Sequence, residues 1–532
     1  MTGRAPVLAA AVLALAGCGA CGDGGSAPDG QDPGRDAGRL DLGAPDTGAP
    51  DTGADAGPGD AGAPPPAYRH RPPPDEPPPA SLAARAWEQH WVDDIRPYWM
   101  QDAALGEPAG NYPTFRTRLG EPARGRAERR PRMMSRQIYA YAMGYLMTGE
   151  EALLERAERG VRWMLDHALD PRGGCHARLT GTGEALDGPK YAQDTAYCAL
   201  GFAAWYFVTR DREAEAALLG LRDLLFEGGF WDEAQGRLRD GLTSDLSRPV
   251  DQGDDGGWEL VAQLDPINAF LLLSEPVLHD PARRAQFRAD LRRLSDALLD
   301  HFWEDGIFWG VHDRAGRYRE RHVDFGHTLK AYWMLLEVDK RLPDHPYAGF
   351  LDEHVPVWIE RAFDGERWKK RPVSATADEG GSDWWIYAEA EQIAATWNMG
   401  RPGVLTGVIE RAASHWRADF VDAARLGGEV ISGIRPDGSP AGSWSLSDTF
   451  KCNEWKNGYH STEHALVLHL HGAYLEDVPV ELHFAVPPEA TETFAAVPYI
   501  FHGRETARTV SSTISLPSGP RAAVTVRFVE LY

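Results

Sequence analysis

Residues 304–309, Glu-Asp-Gly-Ile-Phe-Trp, lie between two apolar-periodic stretches, Pro281–Trp303 and His322–Arg341. In both stretches apolar residues recur at i, i+3, i+4 and i+7, the spacing that places them on one face of an α-helix. The glycine between them allows a tight turn. The sequence therefore predicts a helix, a Gly-turn hairpin and a second helix.

The same unit recurs along most of the chain. The other helical stretches are Leu82–Met100, Met133–Thr148, Glu150–Leu169, Lys190–Thr209, Arg212–Phe226, Gly257–Ser274, Tyr347–Phe363, Ser382–Met399, Gly403–Ala424 and His460–Leu475. Similar Gly turns follow outgoing helices at Asp170–Cys175, Glu227–Asp232 and Ile431–Gly438. Six helix pairs with one loop-rich face predict an all-α fold, an (α/α)6 toroid spanning residues 80–477.

Residues 478–532 change to alternating apolar and polar positions, as in Val480–Phe484 and Ala523–Val529. Alternation with a period of two is typical of half-buried strands. We therefore expect a small β-rich extension after the toroid.

The N-terminus predicts the location of the protein. Arg4 precedes the apolar run Val7–Ala16, which has the length of a signal peptide and is too short to span a membrane. Residues 1–18 end in Leu-Ala-Gly-Cys, which resembles a bacterial lipobox, so we expect Cys18 to carry a lipid anchor. Gly19 favours the outer membrane of a Gram-negative cell envelope. The alternative is an ordinary secreted protein with an unrelated cysteine.

Residues 19–79 are nearly all Gly, Ala, Asp and Pro, with repeats such as Ala44–Gly48 and Ala49–Gly53. Such a segment has too little apolar surface to offset the entropy of ordering, so we expect a disordered tether.

Composition narrows the range of partners. The formal net charge is −24 over 532 residues, which argues against nucleic acid, because phosphate binding needs clustered Lys and Arg. The 18 Trp and 17 Tyr residues weakly favour a carbohydrate ligand, since flat amphipathic rings bind sugar faces. Three cysteines in the body, Cys175, Cys198 and Cys452, permit one disulfide without choosing the pair. No Cys or His spacing typical of a structural zinc site is present, so we expect no metal.

Two histidines have similar surroundings. His327 in Asp324–Lys330 and His460 in Asn457–His464 each follow a Gly-containing break and begin a long apolar-periodic stretch. A histidine at such a position can face a cavity and transfer protons at neutral pH. The alternative is two capped helix starts with unrelated histidines.

Seven segments, in order along the chain, resemble the N-acylglucosamine 2-epimerase family, which includes cellobiose 2-epimerases and mannose isomerases. They are Ile95–Trp99, Ser135–Tyr139, Lys190–Ala196, Leu264–Pro266, Gly326–His327, Trp384–Glu389 and Gly458–His460. The resemblance implies a sugar 2-epimerase or aldose–ketose isomerase that acts on a mono- or oligosaccharide through an enediolate, without a cofactor. It implies catalytic roles for His327, His460 and Arg136, and substrate-binding roles for Tyr139, Asp194, Asn268, Lys330, Trp385 and Glu389.

Two positions depart from the family pattern. Ala269 stands where the family carries a histidine, and Lys330 stands where it carries a glutamate. An ammonium in place of a carboxylate is expected to lower the pKa of a neighbouring imidazole, because it repels the protonated form. Lys330 therefore suggests either a different substrate, such as an acidic sugar, or a loss of isomerisation.

Three other functions are consistent with some of these observations. A glycoside hydrolase or polysaccharide lyase on the same toroid would use a carboxylate pair drawn from Asp194, Asp255, Asp324, Glu389 and Glu391. A non-catalytic glycan-binding lipoprotein would keep the aromatic cavity alone. His460-Ser-Thr-Glu-His464 also fits H-x-x-E-H, a zinc-binding pattern, although we expect His464 to be a packed or supporting histidine.

Overall fold

Fifteen α-helical segments occur in the computed structural model, which describes residues 68–250, 258–311, 314, 316–422, 427–442 and 449–532. They are α1 (Ala84–His90), α2 (Arg96–Trp99), α3 (Asp102–Leu105), α4 (Pro131–Thr148), α5 (Glu151–His167), α6 (Ala192–Thr209), α7 (Arg212–Phe226), α8 (Leu260–Pro266), α9 (Leu272–Ser274), α10 (Pro281–Ala297), α11 (Phe325–Asp339), α12 (Ala348–Ala362), α13 (Trp384–Gly400), α14 (Thr406–His415) and α15 (Tyr459–Leu475). Short π-helical segments join or extend some of them, at Trp91–Ile95, Ile267–Leu271, Leu298–Phe302 and Trp416–Phe420. Each predicted helical stretch corresponds to a helix or to a pair joined by such a segment.

The helices form two concentric rings. The inner ring runs α4, α6, α8–α9, α11, α13 and α15, and α15 packs against α4 to close it. The outer ring contains α1–α2, α5, α7, α10, α12 and α14. All residues of α15 are buried, whereas the outer helix α5 buries only one face. This pattern follows from the fold, because an inner helix touches protein on every side. The predicted (α/α)6 toroid is confirmed.

In each hairpin the outer helix comes first, so the inner helices all begin on one face of the ring. Short strands in the connecting loops surround the N-terminal ends of the inner helices. They are β1 (Arg116–Thr117), β2 (Arg178–Leu179), β3 (Ala185–Leu186), β4 (Lys190–Tyr191), β5 (Trp231–Asp232), β6 (Arg237–Leu238), β7 (Gly241–Leu242), β8 (Pro249–Val250), β9 (Trp303–Glu304), β10 (Ile307–Phe308), β11 (Arg371–Pro372), β12 (Asp378–Glu379), β13 (Ser382–Asp383), β14 (Gly433–Ile434) and β15 (Phe450–Cys452). Gly306, with φ of 82°, makes the turn between β9 and β10. The predicted loop-rich face is therefore present.

The last part of the chain forms an antiparallel sheet of three strands, β16 (Val480–Val486), β17 (Arg504–Leu516) and β18 (Gly519–Val529), in the order β16-β18-β17. Strand β16 packs on α4 and α6. The Tyr145 hydroxyl of α4 donates to the Phe484 carbonyl at 3.3 Å. The predicted β-rich extension is confirmed and is attached to the toroid.

Residues before Pro79, the predicted end of the tether, already contact the toroid. Tyr68 is only 4% exposed, and its ring centroid lies 5.0 Å from that of His345. Burying this ring holds the chain against the toroid well before Pro79, the predicted end of the tether. Cys18 and Asp255 lie outside the described residues. None of the described helices has both the length and the apolarity needed to cross a membrane.

The three body cysteines divide into one pair and one free thiol. Cys175, at the end of the Asp170–Cys175 turn, forms a disulfide with Cys198 of α6. Cys452 is buried and free. The disulfide ties one loop of the loop-rich face to an inner helix.

Candidate active site

His327 is held by the residue that caps its helix. Asp324 precedes α11, and its Oδ1 accepts the backbone N–H of His327 at 2.7 Å. Its Oδ2 lies 2.7 Å from His327 Nδ1. The carboxylate therefore fixes the proton on Nδ1 and leaves Nε2 as the reactive nitrogen. Burial lowers the pKa of His327 and Asp324 opposes that shift only in part, so the ring is neutral at neutral pH.

A half-buried tryptophan connects the two predicted catalytic histidines. The Trp385 ring centroid is 4.6 Å from that of His327 and 6.2 Å from that of His460. Gly326 makes this arrangement possible, since a Cβ there would lie 2.6 Å from Trp385 Cζ3. The starts of α11 and α15 therefore bring both histidines to one aromatic side chain.

Two carboxylates lie beside the inner nitrogen of His460. Nδ1 is 3.5 Å from Glu389 Oε1 and 4.0 Å from Glu463 Oε2. Glu389 also accepts a hydrogen bond from Trp333 Nε1 at 2.7 Å. Burial raises the pKa of Glu389 to about 8 and also raises the pKa of Glu463. At neutral pH this pair therefore retains a proton next to His460.

His460 itself is strongly biased toward the neutral form. Burial is the main cause, and the positive charges of Arg136 and Lys330 add to it, so its pKa lies well below the usual value. A neutral imidazole can accept a proton, and the neighbouring carboxyl pair can supply one. The site thus contains both a base and a source of protons.

Lys330 is bound by protein groups, and this corrects its predicted role in substrate binding. It is 2% exposed, and its Nζ lies 2.8 Å from Asp265 Oδ1 and 3.7 Å from Glu389 Oε1. Burial would lower its pKa, but these carboxylates and the Tyr197 hydroxyl outweigh burial and raise it. With its ammonium so neutralised, Lys330 is not a free cation for an acidic sugar.

Asp265 on α8 is the counter-ion of the buried Lys330 ammonium. Burial would raise its pKa, but Lys330 and a hydrogen bond of 2.7 Å from Gln193 outweigh burial and lower the pKa to about 2. The predicted effect of Lys330 on nearby imidazoles agrees with the structure. Its charge contributes to the lowered pKa values of His327 and His460, although burial contributes more.

Arg136 provides a positive charge near His460. Its guanidinium carbon lies 3.7 Å from the Tyr197 ring centroid, and one N–H donates to the Trp455 carbonyl at 3.3 Å. Its Nε has no hydrogen-bond partner among the described residues. The Nε atom is itself buried, and Arg136 acts on His460 through its positive charge.

The remaining predicted binding residues differ in position. Asn268 lies in the π-helical segment after Pro266, donates to the Tyr459 hydroxyl at 2.5 Å, and has a carbonyl oxygen without a hydrogen-bond partner among the described residues. Asp194 lies at the rim, where it accepts from Arg132 at 2.9 Å. Both remain candidates for substrate contact.

Tyr139 does not line the open part of the site. It is 1% exposed, its ring packs 4.7 Å from Tyr459, and its hydroxyl lies 2.7 Å from the Tyr499 hydroxyl. Because that hydroxyl is already bonded within the protein, the predicted substrate-binding role is corrected to one beneath the site. Ala269 is buried in the same π-helical segment as Asn268.

The candidates for a hydrolytic carboxylate pair are separated or already bound. Asp324 is bonded to His327, Asp194 to Arg132, and Glu391 to His464. Asp255 lies outside the described residues. Of these candidates Glu389 lies beside His460, together with Glu463, and both are buried. Nothing in the described residues favours a hydrolytic carboxylate pair over the two imidazoles.

His460 and His464, the two histidines of the H-x-x-E-H pattern, have different neighbours. His464 is bonded to Glu391, and its ring packs 4.3 Å from Trp416 and 5.0 Å from Trp87. His464 is therefore a packed histidine, as expected. The set that could hold a metal ion among the described residues is Glu389, His460 and Glu463, whose ligand atoms lie within 4.8 Å of one another. The Lys330 ammonium already lies beside the Glu389 oxygen of that set.

Sequence reasoning assigned no role to several residues that belong to this site. Glu463 follows His460 by one helical turn, and that spacing could have indicated it. Trp455, 57% exposed with Arg132 4.9 Å from its ring, lies in the loop just before His460. Asp265 lies in the segment Leu264–Pro266, but its contact with Lys330 forms only through the fold. Tyr499 had no local signal.

Known proteins are similar to this chain in sequence and in fold. Residues 117–351 match the family model described as N-acylglucosamine 2-epimerase. A cellobiose 2-epimerase of Bacteroides fragilis is 24% identical over 395 residues, which is 69% of this chain and 93% of that protein. The structure of a Spirochaeta thermophila cellobiose 2-epimerase has a TM-score of 0.62 at 20% identity, covering 73% of this chain and 96% of that one. A D-mannose isomerase structure has a TM-score of 0.62 at 17% identity, covering 74% and 99%.

The fold and the site together define an (α/α)6-toroid protein with two imidazoles, an arginine and a buried carboxyl pair at the loop-rich face. The matches support the N-acylglucosamine 2-epimerase family as the one to which this toroid is related. The matched family and the curated relative are carbohydrate epimerases, which are enzymes.

Proposed function

We propose that the protein is a sugar 2-epimerase or aldose–ketose isomerase that acts on a mono- or oligosaccharide. The observation that carries the proposal is the placement of His327 and His460 beside the one half-buried ring of Trp385. Similarity to cellobiose 2-epimerase and D-mannose isomerase supports the same class of enzyme. The sequence-based expectation of this class is thus supported by independent comparisons.

The reaction begins with removal of the proton on sugar C2 by the Nε2 atom of one neutral imidazole. The C–H electrons form the C1–C2 double bond, and the carbonyl oxygen becomes an oxyanion. The positive charge of Arg136 near His460 stabilises that oxyanion. Return of a proton to the opposite face of C2 re-forms the C1 carbonyl and gives the epimer. Return of a proton to C1, together with transfer of the O2 proton to O1, forms the C2 carbonyl and gives the ketose. His460 can relay the proton held by the Glu389 and Glu463 pair.

Product analysis tests this proposal against its rivals. The purified protein is incubated with a panel of reducing monosaccharides and short oligosaccharides, and the products are separated by chromatography. An epimer or ketose of at least one sugar, absent with His327→Ala, supports the proposal. Shorter fragments would support hydrolysis instead. Binding of a sugar without any conversion would support a glycan-binding protein.

We further infer that the protein is lipid-anchored at the cell envelope, with the outer membrane as its location. The support is the charged Arg4, the apolar run Val7–Ala16 and the lipobox-like cysteine Cys18, followed by Gly19. Labelling of cells with a radioactive fatty acid tests this inference. The full chain should incorporate label into the membrane fraction, and Cys18→Ser should not. Equal labelling of the two chains would contradict it.

A further inference from the structure

The segment between β16 and β17 crosses the end of the ring opposite the loop-rich face. Arg341, just after α11, donates to the Ile500 carbonyl at 2.8 Å, and Arg210, at the end of α6, donates to the Ala495 carbonyl. Tyr499 lies between these two contacts and is 3% exposed. The C-terminal extension therefore places one aromatic side chain inside the toroid.

Tyr499 adopts a backbone conformation that a tyrosine rarely uses. Its φ of 63° lies in the left-handed region, where a Cβ crowds the backbone. Such a conformation persists only when surrounding contacts enforce it, and it occurs often at functional sites. The contacts that hold it here are the backbone hydrogen bond from Tyr499 N–H to the Val497 carbonyl at 3.0 Å and the contacts of the side chain.

The tyrosine hydroxyl has a definite hydrogen-bond direction. It lies 2.7 Å from Glu463 Oε1 and donates its only proton there. The Tyr139 hydroxyl, 2.7 Å from that of Tyr499, must then donate to Tyr499. Two hydroxyl groups thus form a chain that ends on Glu463, whose other oxygen is 4.0 Å from His460 Nδ1.

The two carboxyl groups near His460 are therefore not equivalent. Glu463 accepts the hydroxyl chain, which favours its ionised form. Glu389 accepts one N–H from Trp333, and burial keeps a proton on it up to a pKa of about 8. Burial raises the pKa of Glu463 as well, and the hydrogen bond from Tyr499 opposes that shift.

We propose that Tyr499 is a positioning residue of the reaction centre, whose hydroxyl holds the Glu463 carboxyl group in place beneath His460 and thereby orients that imidazole. The C-terminal extension is then part of the active site. The kinetic part of this inference rests on the proposed function, whereas the titration part does not. The other charged or titratable groups that act on His460 are Arg136 of α4, His327 and Lys330 of α11, Glu389 of α13 and Lys456 of the loop before α15.

Tyr499→Phe tests the inference, because it keeps the ring and removes only the hydroxyl. Tyr145→Phe is the matched control, since it removes another hydroxyl between the toroid and the extension, the one that donates to Phe484. The His460 ring is followed by nitrogen NMR of histidine-labelled full-length protein, with His460→Asn used to assign the signal. Loss of the hydroxyl raises the pKa of Glu463, so the anion disappears sooner as the pH falls. The His460 midpoint should then move to lower pH in Tyr499→Phe and stay in place in Tyr145→Phe.

Kinetics give the second readout. With a sugar that the wild type converts, kcat of Tyr499→Phe should fall about 10-fold with KM changed less than about 2-fold, because the hydroxyl acts through Glu463 and does not touch substrate. Tyr145→Phe should retain both constants. If Tyr499→Phe does not fold, Tyr139→Phe removes the preceding donor and should move the His460 midpoint in the same direction.

The two possible failures are distinguishable. If the wild type converts no sugar, the proposed function fails and the His460 titration still tests the role of Tyr499. If the wild type is active but Tyr499→Phe matches Tyr145→Phe in both midpoint and kcat, Tyr499 only closes the ring and this inference is overturned.

Discussion

Asp324 binds His327 twice, once through the backbone N–H at 2.7 Å and once through ring Nδ1 at 2.7 Å. One carboxylate therefore begins the helix and sets the tautomer of the proposed base. Because the two contacts use different oxygens, a substitution can separate the two tasks.

Asp324→Asn should lower kcat roughly 100-fold while reducing the free energy of unfolding by less than about 1 kcal/mol. The amide oxygen can still cap α11, but the amide NH2 cannot accept the Nδ1 proton of His327. Steady-state kinetics and urea unfolding measure the two effects. Asp280→Asn is the control, because Asp280 caps α10 by accepting from Ala282 and touches no histidine. Equal activity of the two variants would contradict this assignment.

Lys330→Met should destabilise the protein by about 3–5 kcal/mol, because it leaves the buried Asp265 carboxylate without its counter-ion. Adding Asp265→Asn to it should recover part of that loss, since the uncompensated charge is then removed. Urea unfolding of the single and double variants measures the difference. If the single variant proves as stable as the wild type, the ion pair is not what holds these two residues in the core.

Gly326→Ala should lower activity about 10-fold, because its Cβ would lie 2.6 Å from Trp385 and push the ring from its place between the histidines. Gly349→Ala, at the start of α12 with open space around the new Cβ, should retain activity. Both variants are assayed at saturating sugar. A fully active Gly326→Ala enzyme would show that the position of Trp385 does not matter for turnover.

Acid should destabilise the protein through buried histidines far from the reaction. Burial lowers the pKa of His471 to about 3. Below about pH 6.5 this histidine is therefore protonated in the unfolded chain but stays neutral in the folded protein. Stability is therefore lost as the pH falls from about 6.5 toward 3. Between pH 6.5 and 5 this one group accounts for about 2 kcal/mol. His471→Gln, which can still accept from Asn398, should lose that much less over the same range in urea unfolding. An unchanged pH dependence would refute the assignment.

Local patterns predicted the toroid because each helix pair carries its own apolar periodicity and Gly turn. His327 and His460 were identifiable for the same reason, as both stand at the start of an inner helix after a glycine. The state of Lys330 was not predictable, because its partner Asp265 is 65 positions away on another helix. The role of Tyr499 was even harder to predict, because Tyr499 lies in a loop of the extension whose sequence has no periodic pattern. The burial of Tyr68 was not predictable, because the Pro-rich sequence around it is typical of a disordered segment.

The central claim is that His327 and His460 move a proton at sugar C2. Incubation of the purified protein with reducing sugars in heavy water, followed by NMR or mass spectrometry of the recovered sugar, tests it directly. We expect deuterium at C2 with the wild type and its loss in His327→Ala and His460→Ala. Absence of deuterium from every sugar, with release of fragments from oligosaccharides, would contradict it.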